Sequence, residues 1–89
     1  METYIENKKL RQVVIRLLKA HSSFFYFIME SNDNIGFYST LKESIDSDHR
    51  DVIVHTTIEL SNDLTNIIEH FKTRYPVEII SDKIVSDEL

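Results

Sequence analysis

The chain of 89 residues has no cysteine, no tryptophan, one glycine and one proline. Without cysteine there is neither a disulfide nor a thiolate metal site, so any core must hold by packing alone, and a reducing cytoplasm is the expected setting. With Gly36 as its sole glycine, the chain offers no glycine-rich loop whose backbone N–H groups cradle a phosphate. Long apolar runs are also missing: the longest, Phe24-Phe25-Tyr26-Phe27-Ile28-Met29, is far too short to span a bilayer. The polar segment Met1 to Lys9 does not read as a secretory signal. Ser86-Asp87-Glu88-Leu89 resembles an endoplasmic-reticulum retrieval signal, but such an address acts only on a secreted chain, so an acidic tail is expected there. Positive charge is scarce as well. Ten Lys and Arg against 15 Asp and Glu leave a net charge of −5, which disfavours generic attraction to phosphate backbones or anionic lipid.

What is present is an order of patterns, strand–helix–strand twice over. A composition of 42% hydrophobic and 28% charged residues is that of one ordinary globular domain. Gln12 to Leu18 alternates as a strand, with Val13, Ile15 and Leu17 on one side and Val14, Arg16 and Leu18 on the other. Ser22 or Ser23 is the expected N-cap of a helix whose stripe is Phe24, Phe27, Ile28 and Ser31, with Phe25 and Met29 beside it. Asn32-Asp33-Asn34 ends it, because asparagine tolerates a left-handed backbone. Ile35 to Leu41 reads as a strand with Ile35, Phe37, Ser39 and Leu41 on one face and Tyr38 and Thr40 on the other. The polar stretch Lys42 to Arg50 connects a long hairpin to the strand Asp51 to Ile58, where Val52, Val54, Thr56 and Ile58 alternate with Ile53, His55 and Thr57. Ser61 is the expected cap of the second helix, in which Leu64, Ile67, Ile68, Phe71 and Tyr75 recur at helical spacing until Pro76 stops it. Val77 to Ile80 is a short last strand, suited to an edge by the preceding proline.

The first and third strands are the most continuously apolar and belong at the centre of a sheet. This selects an antiparallel four-stranded sheet of order 4-1-3-2 with two helices on one face, the α+β ferredoxin-like βαββαβ plait. A meander with the aromatic run as an extra strand is the competing topology. The domain is expected over residues 11–80, with an amino-terminal arm at 1–10 and an acidic tail at 81–89. Its core should comprise Val13, Ile15, Leu17, Phe24, Phe27, Ile28, Phe37, Val52, Val54, Leu64, Ile67, Ile68 and Phe71.

The helix-free face of such a sheet would carry Val14, Arg16, Leu18, Tyr38, Thr40, Ile53, His55 and Thr57, joined by Glu78 and Ile80. That set is too apolar for a fully hydrated surface. Either the termini cover it (Tyr4, Ile5, Leu10; Ile84, Val85), or it is a homodimer interface or ligand floor. The four histidines include no helical pair at ligand spacing, and Asp46, Asp48 and Asp51 lack the glycine and distal glutamate of a calcium loop, so no metal site is expected. Glu30, Asp33, Glu43 and Glu59 are dispersed, and no Ser–His–acid or Cys–His set can be assembled, so no catalytic residue and no cofactor is assigned.

Met29-Glu30-Ser31-Asn32-Asp33-Asn34-Ile35-Gly36-Phe37-Tyr38-Ser39-Thr40-Leu41 resembles the signature of a small bacterial family of unknown function (domain family 4911). There an aliphatic-Glu-x-x-Asp/Glu-Asn/Gly-aliphatic segment runs into a Ser-Thr-Leu strand end. In element order the resemblance extends from Val13 to Ile79, and it carries no activity. More loosely, the plait is similar to ACT domains, which pair their sheets and bind amino acids at the dimer interface. The ACT resemblance implies a non-enzymatic regulatory or ligand-sensing module, acting as a homodimer and taking an amino acid or small metabolite. The chain departs from that pattern in its first strand–helix loop, which lacks the glycine that lets backbone approach the ligand. The alternative is a protein-interaction module that docks a partner through the open sheet face or an edge strand.

Plait-type RNA binders stack bases on aromatics of their two central strands, and here Val14, Arg16, Ile53, His55 and Thr57 occupy those places. Nucleic-acid binding is therefore predicted to be absent. A labelled single-stranded RNA at physiological salt should show no change in anisotropy, and tight binding would overturn this reading.

Overall fold

The computed structural model describes residues 8–32, 34–41 and 47–87. In chain order the elements are β1 (Lys8–Leu18), α1 (Lys19–Ser31), β2 (Gly36–Thr40), β3 (His49–Thr57), α2 (Ser61–Lys72) and β4 (Val77–Asp87). The four strands form one antiparallel sheet in the order β2-β3-β1-β4, which is the expected plait. β1 pairs along its length with both neighbours, Val13 standing opposite Val54 of β3 and opposite Asp82 of β4.

Alternation along β1 and β3 sends Val13, Ile15, Leu17, Val52 and Val54 toward the helices, where each is essentially inaccessible. Leu64, Ile68 and Phe71 of α2 close over them at helical spacing, and Phe71 meets Phe25 of α1 edge-on at 5.5 Å. α2 ends at Lys72, with Thr73 at its C-cap, rather than running through Tyr75 to the expected stop at Pro76. Asp63 lies in its first turn and His70 and Lys72 in its last, the arrangement the helix dipole prefers.

The helical stripe of α1 differs from expectation. Phe25 and Met29 are buried, whereas Phe24 and Phe27 are exposed and Ile28 is only half-buried. An apolar residue at every position from Phe24 to Met29 leaves the periodicity without a preferred phase. The junction supplies it: α1 begins at Lys19, directly after β1, so no loop lets the helix turn about its axis. Neither expected serine cap forms. Leu18 occupies the α1 cap position without a side-chain bond, and the Lys19 N–H instead donates to the Asp48 carbonyl at 2.8 Å. Ser22 Oγ donates back to the Lys19 carbonyl at 2.8 Å, and Ser61 is the first residue of α2 rather than its cap. At the other end of α1, Asn32 Nδ2 donates to the Ile28 carbonyl at 2.9 Å, and no left-handed backbone is used among the described residues.

β2 shows its other face. Register pairs Gly36, Tyr38 and Thr40 with Thr56, Val54 and Val52, so Tyr38 and Thr40 lie on the helix side and Phe37 points to the open face, 61% exposed. The expected alternation starts at Ile35, but that residue precedes the strand and is buried in the turn before it. Ile35, Phe25 and Met29 thus take the core places expected for Phe37, Phe24 and Phe27, and Ile67 is half-buried at the margin.

β4 is also longer than expected. It continues from Ile80 through Asp87 along β1, past an irregularity at Ile80, so Ser81 to Asp87 belong to the sheet rather than to a tail. Lys8 to Leu10 likewise belong to β1 rather than to an arm. Tyr4 and Ile5 lie outside the described residues, as do Asp33, Asp46 and most of the hairpin connection. Among the described residues no helix is long and apolar enough to cross a membrane.

Gly36 is required by distance rather than by φ. A Cβ at this position would stand 1.9 Å from the His55 carbonyl oxygen, inside backbone that cannot retreat without opening the β2–β3 ladder. Gly36→Ala should therefore cost about 1–3 kcal/mol through overpacking, read as a lower urea midpoint at constant m. An unchanged midpoint would show that β2 is not held this close.

Candidate functional site

Alternation places Val14, Arg16 and Leu18 of β1 with Ile53, His55 and Thr57 of β3 on the open face, as expected. Tyr38 and Thr40 are not with them. Tyr38 stacks on Tyr26 of α1 at 5.1 Å and donates to Glu30 at 2.7 Å, and Thr40 shares a hydrogen bond with the Tyr26 hydroxyl. The bond to Glu30 pushes the Tyr38 phenol up to about 12, since losing its proton would set two anions side by side. On the open face their places go to Phe37 and Ser39.

That face is less apolar than its aliphatics suggest. Arg16 stands opposite Asp51 and holds it with two parallel bonds, Nε to Oδ1 at 2.8 Å and Nη2 to Oδ2 at 2.9 Å. These bonds from Arg16 hold the Asp51 carboxyl below its usual range, against the opposing effect of burial. Asp51 in turn keeps the Arg16 guanidinium charged, with Glu78 of β4 adding to the effect. Gln12 stands opposite His55, whose Nε2 lies 3.1 Å from the Gln12 Oε1 atom, and Phe37 stacks on the same imidazole at 5.0 Å.

Sequence reasoning placed Asp51 in the third strand but weighed it only with Asp46 and Asp48 as a possible cation ligand, and missed its partner. The role of Asp51 follows once the Val13–Val54 pairing is known, because that register brings residue 51 opposite Arg16. Among the described residues no group of three His, Cys, Asp or Glu is placed to hold a metal.

At the carboxyl end of β1 the face opens into a groove of 360 Å³ between the start of β3 and the turn into β4. Arg16 and His49 give it a polar wall rich in N–H donors, Leu18, Pro76 and Val77 an apolar one, and Glu78 closes the β4 side. The volume falls at the small end of known ligand sites. With Nε and Nη2 engaged by Asp51, Arg16 keeps Nη1 without a hydrogen bond among the described residues. The groove can therefore take a small anion at one end and a compact apolar group at the other.

Comparison of the sequence with known family profiles and with curated proteins finds no match. Comparison of the fold does. CPII, a nitrogen regulatory PII-like protein from Thiomonas intermedia K12 bound to ADP, AMP and bicarbonate, superposes with a TM-score of 0.73 at 14% identity, over 94% of this chain and 96% of that one. The apo form of CPII from the same organism gives 0.64 at 19% identity, covering 94% and 99% of the two chains. A third structure of it, bound to ADP, AMP and acetate, gives 0.65 at 14% identity, covering 96% and 94%. At these identities the likeness establishes the shared plait.

The Arg16–Asp51 pair has a pH signature. Because the folded Asp51 pKa is lowered, its contribution to stability is present above the pKa of an unfolded aspartate, about 4, and is lost as pH falls through the lower folded value. Asp51→Asn should flatten the acid limb of the stability curve below about pH 4. A limb of unchanged steepness would show that the pair does not form in solution.

Proposed function

We propose that this chain is a non-enzymatic, ligand-sensing regulatory domain that takes a small carboxylate-like anion in the groove at the end of β1. The observation that supports this reading is the likeness, along nearly the full length of both chains, to a PII-like regulatory protein described with ADP, AMP and bicarbonate, and also with acetate. The chain's own chemistry narrows the ligand. Its single glycine is spent on the β2–β3 contact, and the turn from α2 to β4, Thr73 to Pro76, contains none, so there is no glycine loop to cradle a nucleotide's phosphates. Bicarbonate and acetate are planar and singly charged, and match the guanidinium edge that Arg16 leaves open.

The domain is further proposed to act as a homodimer in the cytoplasm. Leu18, Ile53 and Phe37 of the open face, where Val14 is already buried, or the unpaired edge of β2, would meet a second copy.

Thermal unfolding with bicarbonate, acetate, ADP and AMP added separately tests the ligand assignment. Bicarbonate and acetate should raise Tm, and Arg16→Gln should abolish the shift. A rise with the nucleotides alone, or with none of the four, would overturn the assignment. Sedimentation at micromolar concentration reads the second part, and a monomer there would remove the dimer.

A further inference from the structure

The solvent side of the helical layer carries a second groove, of 290 Å³, between α1 and the end of α2. Phe24, Phe27, Phe71 and Tyr75 form its walls, with His70 and Arg74 on the rim. Phe27 is 70% exposed and Phe24 48%. Two such rings set one helical turn apart beside a groove are a contiguous patch, unlike the scattered apolar residues common on protein surfaces.

Three of the four rings are braced against one another before anything binds, and of the four Phe27 alone stands free of ring contacts among the described residues. Phe24 stacks on Tyr75 at 5.3 Å, Tyr75 meets Phe71 at 4.9 Å, and Phe71 is anchored in the core. Rings held in this way lose little rotamer freedom when a partner arrives, which lowers the cost of association. The charge is equally specific. No residue lining the groove is acidic, although the chain as a whole carries −5. Arg74 makes no side-chain hydrogen bond or ion pair among the described residues, whereas Arg11 and Arg16 are both bound to carboxylates. An unpaired guanidinium beside exposed rings selects a ligand that brings its own carboxylate.

We infer that this groove docks an acidic peptide segment of a partner protein. An aromatic or leucine side chain of the peptide packs against Phe24, Phe27 and Tyr75, and a neighbouring Asp or Glu pairs with Arg74. Such a contact combines a buried anchor with a charge-assisted pair, the features that concentrate binding energy at interfaces. A second copy meeting this groove through its own groove fits less well, because the same lining holds no acidic residue to pair with Arg74.

Random short peptides displayed against the full-length chain and screened against Phe27→Glu test this docking. Enriched sequences should pair Phe, Trp or Leu with Asp or Glu and lose about tenfold or more in affinity for Phe27→Glu and for Arg74→Glu. Replacing the peptide acids with Lys should restore binding to Arg74→Glu. Both substitutions sit at the surface, and a dispersed amide NMR spectrum verifies that each variant is folded. Failure to enrich any peptide would overturn the inference, as would enrichment of basic peptides or equal binding to both folded variants.

Discussion

The register of β1 governs this structure. It is the one strand bonded on both sides along its length, and pairing Val13 with Val54 decides what every other residue faces. A slip of a single residue would turn Val13, Ile15 and Leu17 out of the core and bring Val14, Arg16 and Leu18 into it, burying a guanidinium against Phe25 and Leu64. The same register that fills the core also sets Arg16 against Asp51 and Gln12 against His55. Core and open face are two readings of one alignment.

Arg11 extends that control to the second helix and the last strand. It faces the helices from β1, meeting both oxygens of Asp82 in β4 at 2.9 and 2.7 Å and the Ser61 carbonyl of α2 at 2.9 Å. A third partner, Thr65 Oγ1, lies 2.5 Å from the same guanidinium. Exposed ion pairs contribute little alone, but the fork geometry of arginine lets one side chain fix three elements at once. Asp82 lies beyond the irregularity at Ile80, so this contact helps carry β4 past the point where its apolar run ends.

Legibility in the sequence followed periodicity. β1, β3 and α2 have one apolar face each, and their core residues could be named from spacing: Val13, Ile15, Leu17, Val52, Val54, Leu64, Ile68 and Phe71. The α1 stripe could not be named, because the run from Phe24 to Met29 is apolar all round and its phase comes from the abrupt β1–α1 junction. β2 is short and has an aromatic on each face, so its orientation rests on the fit of Gly36 against the His55 carbonyl. The end of β4, Ser81-Asp82-Lys83, has the composition of a tail and is a strand because Lys8 to Val14 provide backbone partners. Of the open face, the six positions on β1 and β3 were legible. The pairing that makes it polar was not, since a cross-strand contact 35 residues apart appears only with the register.

That polarity bears on how two copies would meet. Covering Leu18, Ile53 and Phe37 gains about 25 cal/mol for each Å² of apolar surface removed from water. A face-to-face contact would also strip water from Arg16, Asp51 and Glu78, and desolvating charges can cost as much as the apolar burial returns. Pairing through the β2 edge leaves those charges hydrated and completes backbone hydrogen bonds that the edge otherwise satisfies with solvent. It also leaves open the groove at the end of β1, which Arg16 and His49 line. An edge-joined pair is therefore the geometry in which self-association and ligand entry do not compete for the same surface.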